Sequence, residues 1–254
     1  MTTPPMNDTI RTQLAHRSIR AFEARELDDD TIATLFEVSR WTASCAFGQQ
    51  RTIIHVRDEE IRREIGRASG QPYVGVKEGE LFIFVADLHR NAQIRREASV
   101  DDEPASRAQE FLAAVIDTSI AAQNMVVAAE SLGLGTLYLE SIAADIRRVI
   151  RALDLPANTY PLVGLIVGYP RQEPQLKPRM PLSLLTATDR YPRDINYHEA
   201  LRDYDAELGE YYDLRDTNRR VDTFTDQIVG KWGVPAAEHN PLLEVLAEQQ
   251  LAQH

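Results

Sequence analysis

Two short segments of this chain carry side chains of the kinds that bind anions. One is HRSIRAF at His16–Phe22, and the other is KPR at Lys177–Arg179. Guanidinium groups match the fork geometry of phosphate, and hydroxyl groups add further donors. The candidate anion ligands are His16, Arg17, Ser18, Arg20, Lys177 and Arg179. Taken alone, each segment is better explained as solvated surface charge, but two separate clusters on an acidic chain favour a phosphate-bearing ligand.

A polar loop and a turn add further candidate ligand contacts. The loop TASCAFGQQ contains Ser44 and Cys45 and lies between a predicted helix and a predicted strand. Loops of this kind present hydroxyl and amide groups to ligands. Gln71, in ASGQPYV, is a candidate hydrogen-bond partner for an amide-like edge of a ligand ring. Ordinary turn chemistry explains Ser44, Cys45 and Gln71 as well. Cys45 has no histidine or basic residue close by in sequence, so we do not assign it as a nucleophile.

Other common catalytic patterns are missing from the sequence. The six histidines show no metal-ligand spacing. The chain contains no nucleophile elbow, no Walker loop and no G-x-G-x-x-G after a strand. An enzyme with phosphate-binding cations but without its own nucleophile or metal site is expected to use a phosphate-bearing cofactor.

The composition is that of an acidic globular protein of 254 residues, with a formal net charge of −11 and 43% hydrophobic residues. The negative charge argues against a nucleic-acid surface and against docking on anionic lipid. The longest apolar runs, Leu81–Ala86 and Leu162–Val167, are far too short to span a bilayer. The N-terminus has no apolar signal core, and the single cysteine excludes an intrachain disulfide. We therefore expect no membrane and no nucleic-acid partner, and a cytoplasmic location.

Strand and helix patterns alternate along the chain, which predicts an α+β fold. Apolar or β-branched runs predict strands at Thr52–Arg57, Leu81–Asp87, Thr136–Leu139 and Pro161–Gly168. Helical patterns are found at 28–41, 58–68 and 143–153. The segment Phe111–Leu132 is apolar on almost every face, which is typical of a buried helix. We expect a central mixed sheet packed around this long helix rather than a doubly wound sheet.

The composition changes after Pro170 to a proline-rich stretch, which predicts an extended arm. Helical patterns return at about 197–213, 222–231 and 241–252. We therefore predict a ligand-binding core at 1–195 and a helical C-terminal extension of the same domain at 196–254. An arm leading to exposed helices suggests an extension that wraps a partner subunit, and a tail packed on its own chain is the alternative.

Five segments, in this order, resemble the FMN-dependent nitroreductases, in particular the NADPH-dependent nitroreductase and flavin reductase branch. They are HRSIRAF, AAQNMVVAAESLGLGTLYLES, PLVGLIVGYP, LKPRMPL and NRRVDTF, and the resemblance covers most of residues 12–226. The resemblance implies a homodimer with FMN bound at the subunit interface and a C-terminal arm around the partner. It also implies a ping-pong NAD(P)H oxidoreductase that transfers hydride to a small-molecule acceptor: a nitroaromatic, a quinone or free flavin.

The resemblance further implies a role for each candidate residue, with no catalytic side chain because the hydride chemistry is carried by FMN. Phosphate and ribityl contacts are assigned to His16, Arg17, Ser18, Ser44, Cys45, Lys177 and Arg179. Contacts with the flavin ring are assigned to Arg20 at the N1–C2 edge, to Gln71 at the pyrimidine part, and to Tyr138, Leu139, Glu140 and Ser141. Arg215, with Arg219 or Arg220, is assigned to bind the 2′-phosphate of NADPH. NADH is the alternative co-substrate.

One segment departs from the family's pattern. Where that pattern has small residues close to G-V-Y-I-G-G, this chain reads TLYLES at Thr136–Ser141. Glycine lets the backbone approach a ligand closely, whereas Glu140 adds bulk and charge beside the predicted ring. A specialised flavoenzyme, for example a reductive dehalogenase, therefore stays open. Two alternatives of another class also stay open: a flavin-binding redox sensor without turnover, and a phosphate-binding module without flavin.

Overall fold

The computed structural model describes residues 5–100, 107–213, 223–232 and 241–253. The chain forms two units. The first runs from the N-terminus to Pro174 and also includes the segment from Pro241 onward, and the second is Gln175–Asn240. The candidate residues from His16 to Ser141 belong to the first unit, whereas Lys177 and Arg179 belong to the second.

Four antiparallel strands form the sheet of the first unit. They are β1 (Arg51–Val56), β2 (Glu80–Asp87), β3 (Gly135–Leu139) and β4 (Thr159–Gly168), in the spatial order β1-β2-β4-β3. All four predicted strands are confirmed. The inner strand β2 is buried along nearly its whole length, as expected for a continuous apolar run covered on both faces.

The parallel part of the predicted mixed sheet is a bridge outside these strands. Ser18 pairs in parallel with Thr136, and the Ile19 backbone N–H donates to the Thr136 carbonyl at 2.9 Å. All pairings between the four strands are antiparallel. The bridge extends the sheet beyond β3 and places the predicted phosphate-binding segment directly against it.

Helices cover both faces of this sheet. On one face, α2 (Asp29–Arg40) and α5 (Ala108–Ser131) contribute to an apolar cluster with the strands. On the other face, α3 (Glu59–Ser69) and α6 (Ile146–Ala152) do the same. Fully buried side chains mark the two layers: Leu35, Phe82 and Met125 in the first, and Ile65, Ile83 and Ile142 in the second. The predicted α+β class, with a sheet packed on a long central helix, is confirmed.

The long helix α5 is not buried on every side, contrary to the sequence pattern. Leu112, Ile116 and Ile120 are 58%, 50% and 39% exposed. Residues four positions apart share one face of a helix, so the three form an exposed apolar stripe. By length and composition α5 could also cross a membrane, but its buried face packs against the sheet as in the core helix of a globular fold. An exposed apolar stripe is typical of a protein–protein contact.

Two helices of the first unit have little apolar periodicity, and the sequence did not predict them. The first, α1 (Asp8–Leu14), is capped by the Asn7 side chain, which accepts a hydrogen bond from Ile10 N–H at 2.9 Å. The other, α4 (His89–Glu97), buries only Ala92. The helix predicted at 143–153 is also different, because it begins as a 3₁₀ turn at Glu140–Asp145 and becomes α-helical only in α6.

The described part of the second unit contains helices that largely follow the sequence pattern. They are α7 (Leu182–Leu185), α8 (Tyr197–Ala200), α9 (Arg202–Asp213) and α10 (Phe224–Trp232). The short helix α7 interrupts the arm, which was predicted to be extended throughout. Between α9 and α10, the rings of Tyr204 and Phe224 lie 5.6 Å apart, and Thr225 Oγ1 donates to Asp205 Oδ2 at 2.7 Å.

The last helix, α11 (Leu242–Glu248), belongs to the first unit. Val245 and Leu246 pack in an apolar cluster with Leu88 and Tyr160. Asn158 N–H donates to the Gln249 carbonyl at 2.8 Å. Of the extension predicted at 196–254, residues 241–253 therefore pack on the core of their own chain. The wrapping of a partner by the preceding residues, and the domain boundary at 195, stay predictions.

Candidate functional site

The His16–Arg20 segment lies beside β3 in an extended conformation. The bridge at Ser18 fixes the alternation of its side chains, so that Ile19 is buried and Arg20 is exposed. The segment can lie this close because Gly135 has no side chain, and a Cβ at that position would be 2.7 Å from Ile19 Cγ1. The extended segment thus presents Ser18 and Arg20 together on the side opposite Ile19.

The imidazole of His16 is held by a carboxylate that the sequence did not point to. His16 Nδ1 lies 2.6 Å from Glu130 Oε1, near the end of α5, and Thr136 Oγ1 donates to the same oxygen at 2.7 Å. The Glu130 side chain is only 12% exposed, so water has little access to these hydrogen bonds. A hydrogen bond at Nδ1 fixes the ring orientation and leaves Nε2 to contact a ligand.

The guanidinium of Arg17 has unused hydrogen-bonding capacity. Its Nη1 reaches Glu173 Oε1 at 3.3 Å, and its Nε is buried with no hydrogen-bond partner in the described part of the chain. The partner Glu173 is 84% exposed, so this ion pair contributes little and is easily exchanged. Arg17 lines a cavity of about 600 Å³ together with Glu130 and Arg171. A buried donor without a partner beside an open cavity fits an anionic group such as the phosphate of FMN.

Arg20 is exposed and forms no hydrogen bond or ion pair with any other residue in the described ranges. An exposed guanidinium without an intramolecular partner is available to a ligand. Its predicted place at the N1–C2 edge of the flavin stays a prediction.

The loop with Ser44 and Cys45 is attached to α5 by a second carboxylate. Ser44 Oγ donates to Asp117 Oδ2 at 2.5 Å, and Cys45 N–H donates to Asp117 Oδ1 at 2.8 Å. Asp117 is 1% exposed, whereas the Cys45 side chain is exposed. Two carboxylates of α5, Asp117 and Glu130, thus hold two of the predicted ligand segments.

Sequence reasoning missed Asp117 and Glu130, although a signal was present. They are the two charged residues in the largely apolar segment Phe111–Leu132. A charged side chain on a core helix must be paired or hydrogen-bonded, because burial of an isolated charge is costly. The pattern therefore marks both positions, but the sequence does not show which distant segments supply the donors.

Gln71 lies just beyond the end of α3. This helix ends at Gly70, which has a left-handed φ of 62°, and Gln71 N–H donates to Ser69 Oγ at 3.1 Å. The half-buried Gln71 lines an open pocket of about 340 Å³ together with Gly66 and Gly70. Its side chain is accessible from this pocket, and its contact with the flavin stays a prediction.

The segment Tyr138–Ser141 joins the end of β3 to the 3₁₀ turn. Burial raises the pKa of Tyr138, and the charge of Glu130 raises it further, so this phenol stays neutral. The side chain of Leu139 is 2% exposed and belongs to the core, so position 139 can reach a ligand only through its backbone. Glu140 is exposed and Ser141 is half-buried. Of the four, Glu140 is the most accessible.

The remaining candidates lie elsewhere in the chain. Lys177 and Arg179 are exposed in the second unit, and Arg179 Nη1 donates to the Lys177 carbonyl at 2.7 Å. Their convergence with Arg17 on one phosphate stays a prediction. The residues assigned to NADPH, Arg215, Arg219 and Arg220, lie outside the described residues.

Comparison with known proteins gives the family. The model of the nitroreductase family matches residues 14–169, and that of the nitroreductase family C-terminal domain matches residues 177–254. The chain belongs to the nitroreductase family. It is similar to the FMN reductase (NADPH) of Bacillus subtilis strain 168, with 36% identity over 227 residues that cover 88% of this chain and 91% of the relative.

Solved structures give the same result for the fold. The NfrA1 structure from B. megaterium is 33% identical, with a TM-score of 0.90, and the match covers 97% of this chain and 100% of that one. The NADPH:FMN oxidoreductase of Vibrio harveyi, solved with NAD+, is 31% identical, with a TM-score of 0.84 and coverage of 98% and 100%.

Proposed function

We propose that this protein is an FMN-dependent NAD(P)H oxidoreductase, a nitroreductase or flavin reductase that transfers hydride by a ping-pong mechanism. Its acceptors are nitroaromatics, quinones or free flavin. The observation that carries the proposal is the 36% identity to an NADPH-dependent FMN reductase over 88% of this chain. When bound, FMN supplies hydride chemistry, for which no side chain of the protein has to act as acid, base or nucleophile.

The chain's own residues bind and orient this cofactor. Arg17, with its unpaired Nε, and His16, fixed by Glu130, are suited to the phosphate and ribityl end. Lys177 and Arg179 add two cations from the second unit. Ser18, Ser44 and Cys45 offer hydroxyl and backbone contacts near the ribityl chain, and Gln71 and the segment Tyr138–Ser141 contact the ring. A guanidinium at the N1–C2 edge, assigned to Arg20, stabilises the negative charge of reduced flavin.

The co-substrate assignment rests on the C-terminal cations. Arg215, Arg219 and Arg220 together offer the charge that a 2′-phosphate requires. NADPH is therefore the proposed hydride donor, and NADH is the alternative.

The working form is proposed to be a homodimer. The stripe of Leu112, Ile116 and Ile120 on α5 is apolar and exposed, and a second copy would cover it. The two carboxylates that hold the ligand segments, Asp117 and Glu130, are separated by about 20 Å along α5 at the helical rise of about 1.5 Å per residue. This separation favours a flavin site that combines the His16 segment of one chain with the Ser44 loop of the other.

The arm and extension from 175 to 240 are proposed to wrap the partner. The protein is also proposed to be cytoplasmic.

A visible absorption spectrum tests the proposed function. We expect purified protein to be yellow, to lose its flavin absorbance when NADPH is added under nitrogen, and to regain it with a nitroaromatic, a quinone or free FMN. Steady-state rates should give parallel double-reciprocal plots. A colourless protein that stays colourless with added FMN would contradict the proposal. Bound flavin that dithionite reduces and NAD(P)H does not would instead indicate a redox sensor.

One observation supports a second candidate, a specialised flavoenzyme such as a reductive dehalogenase. The exposed carboxylate of Glu140 stands where the family pattern has a small residue, next to the predicted ring. The bulk of this side chain narrows the pocket, and its charge repels anionic substrates. Flavin that NADPH reduces, but that no generic acceptor reoxidises, would favour this candidate.

Arg20→Ala is expected to lower the flavin reduction potential by about 30 to 60 mV. The removed charge-assisted hydrogen bond contributes about 1.5–3 kcal/mol, and about 1.4 kcal/mol corresponds to 30 mV for a two-electron couple. The potential is measured by equilibration with a reference dye. Arg25→Ala is the matched control, because Arg25 is a neighbouring exposed arginine that lies over the Tyr169 ring. An unchanged potential in Arg20→Ala would place this guanidinium away from the flavin.

A further inference from the structure

We propose that the buried carboxylate of Asp117 is a positioning residue, which holds the loop Ser44–Gln50 in the strained conformation that binds FMN. The inference rests on the proposed function and deepens it. It assigns a role to a residue on the core helix α5 that is not among the predicted FMN ligands.

The hydrogen bonds of Asp117 come from this loop. Its Oδ2 accepts from Ser44 Oγ at 2.5 Å and from Gln50 N–H at 3.4 Å, and its Oδ1 accepts from Cys45 N–H at 2.8 Å. The residue is 1% exposed, so water does not replace these donors. A buried carboxylate is costly unless it is hydrogen-bonded. The stability of this charge is therefore coupled to the conformation of the loop.

The loop backbone is strained at three residues that are not glycine. Ala46, Phe47 and Gln49 have φ values of 49°, 58° and 50°, in the left-handed region. This conformation is unfavourable for a residue with a Cβ, and strain of this kind persists only where the surroundings fix it. Gly48, the residue that would tolerate this conformation, has an ordinary φ of −69°. The strain therefore has to be maintained by contacts from outside the loop.

Further anchors act on the loop from α4. Asn91 Nδ2 donates to the Gly48 carbonyl at 3.0 Å, and Arg90 Nη1 donates to the Gln49 carbonyl at 3.2 Å. Ser44 Oγ, while it donates to Asp117, also accepts from Gln49 N–H at 2.6 Å. Side chains of α4 thus hold the loop through its carbonyl groups, and the Asp117 carboxylate holds it through its N–H groups and the Ser44 hydroxyl.

The base of the loop is fixed by Arg51. Its Nη2 donates to the carbonyls of Ser39 and Thr42 at 3.2 and 3.1 Å, which ties the start of β1 to the end of α2. Burial lowers the pKa of Arg51 below its ordinary value, and the charge of Asp117 opposes this shift. The buried carboxylate thus also compensates a partly buried cation at the root of the loop.

The fixed backbone presents exposed side chains. Cys45, Ala46 and Gln49 are exposed, and Phe47 is 82% exposed. A loop that only joined α2 to β1 would need neither this strain nor so many anchors. Fixing a loop in its bound conformation lowers the entropy cost of binding a ligand. The arrangement is therefore that of a preorganised ligand-binding loop, supported from behind by Asp117.

Asp117→Asn tests the inference with little change in shape. The amide has one acceptor oxygen and no charge, so part of the hydrogen bonding to Ser44, Cys45 and Gln50 is lost. We expect the FMN dissociation constant, measured by flavin fluorescence titration of apoprotein, to rise roughly tenfold or more. We also expect faster amide hydrogen exchange over residues 44–50 in the apoprotein. Ser44→Ala removes one of the contacts from the loop side and is expected to raise the dissociation constant roughly two- to tenfold.

Thr118→Val is the matched control. Thr118 is the next residue on α5, is fully buried, and donates to the Val85 carbonyl at 3.4 Å rather than to the loop. We expect this variant to bind FMN within about twofold of wild type. An equal loss in Thr118→Val would assign the effect to general damage of α5 and overturn the inference.

The remaining outcomes separate the inference from the proposed function. Unchanged FMN affinity in Asp117→Asn, with wild type binding normally, overturns the inference alone. If Asp117→Asn does not fold, amide hydrogen exchange over residues 44–50 in the Ser44→Ala apoprotein decides, because a direct contact of Ser44 with FMN does not affect the apoprotein; unchanged exchange there overturns the inference. A wild-type chain that binds no FMN overturns the proposed function and the inference together.

Discussion

Replacing Lys177 and Arg179 together with alanine is expected to raise the FMN dissociation constant roughly 150-fold or more. Each cation is proposed to form a charge-assisted hydrogen bond with the phosphate, which contributes about 1.5–3 kcal/mol. Two such bonds give at least about 3 kcal/mol, and about 1.4 kcal/mol corresponds to a tenfold change. The dissociation constant is measured by fluorescence titration of apoprotein at fixed ionic strength.

The double variant Arg190→Ala with Arg193→Ala is the control for charge alone. Both arginines are exposed in the same proline-rich arm, so the control removes the same net charge from the same segment. We expect its affinity to stay within about threefold of wild type, since exposed charges at a distance are screened by salt. If the two double variants bind FMN equally well, the phosphate does not lie at Lys177 and Arg179.

Ile116→Glu is expected to convert the proposed dimer to a monomer. The substitution places a charge in the middle of the stripe of Leu112, Ile116 and Ile120, and burial of this charge against the proposed partner is costly. The molar mass is measured by light scattering after size-exclusion chromatography at micromolar concentration. Because the proposed flavin site combines two chains, we expect the monomer to lose most of its bound FMN as well.

Ile94→Glu provides the control for an added surface charge. Ile94 lies on α4, is 58% exposed and is not part of the α5 stripe. This variant is expected to keep the mass and the flavin content of wild type. A wild-type chain that is already monomeric and still holds FMN would contradict both the dimer and the shared site.

The sequence predicted those elements whose residues carry a local pattern. The strands β1 to β4 follow from short β-branched or apolar runs, and α5 follows from its long apolar segment. The helix α4 could not be found in this way, because Ala92 is its only buried residue and its other residues are polar or exposed. The 3₁₀ turn at Glu140–Asp145 was also missed, since the choice between a 3₁₀ and an α-helical first turn depends on how the segment packs.

For the candidate site, residue types and order were sufficient to propose a phosphate-bearing cofactor and a family. Sequence reasoning missed Asp117 and Glu130, the charged residues of a largely apolar segment, and the sequence contains no sign of their partners. Those partners, the Ser44 loop and His16, are 73 and 114 residues away along the chain. Contacts over such separations are decided only when the sheet and its helices have assembled.

The sequence by itself thus determined the α+β class, the strands of the core and the cations available for a phosphate. Each of these depends on side-chain type and on periodicity within a few residues. The tertiary structure decided which face of α5 stays exposed, how His16 and Ser44 are anchored, and that the last helix packs on its own core. These features depend on burial and on hydrogen bonds between distant segments, because a buried charge is stable only where the fold supplies its donors.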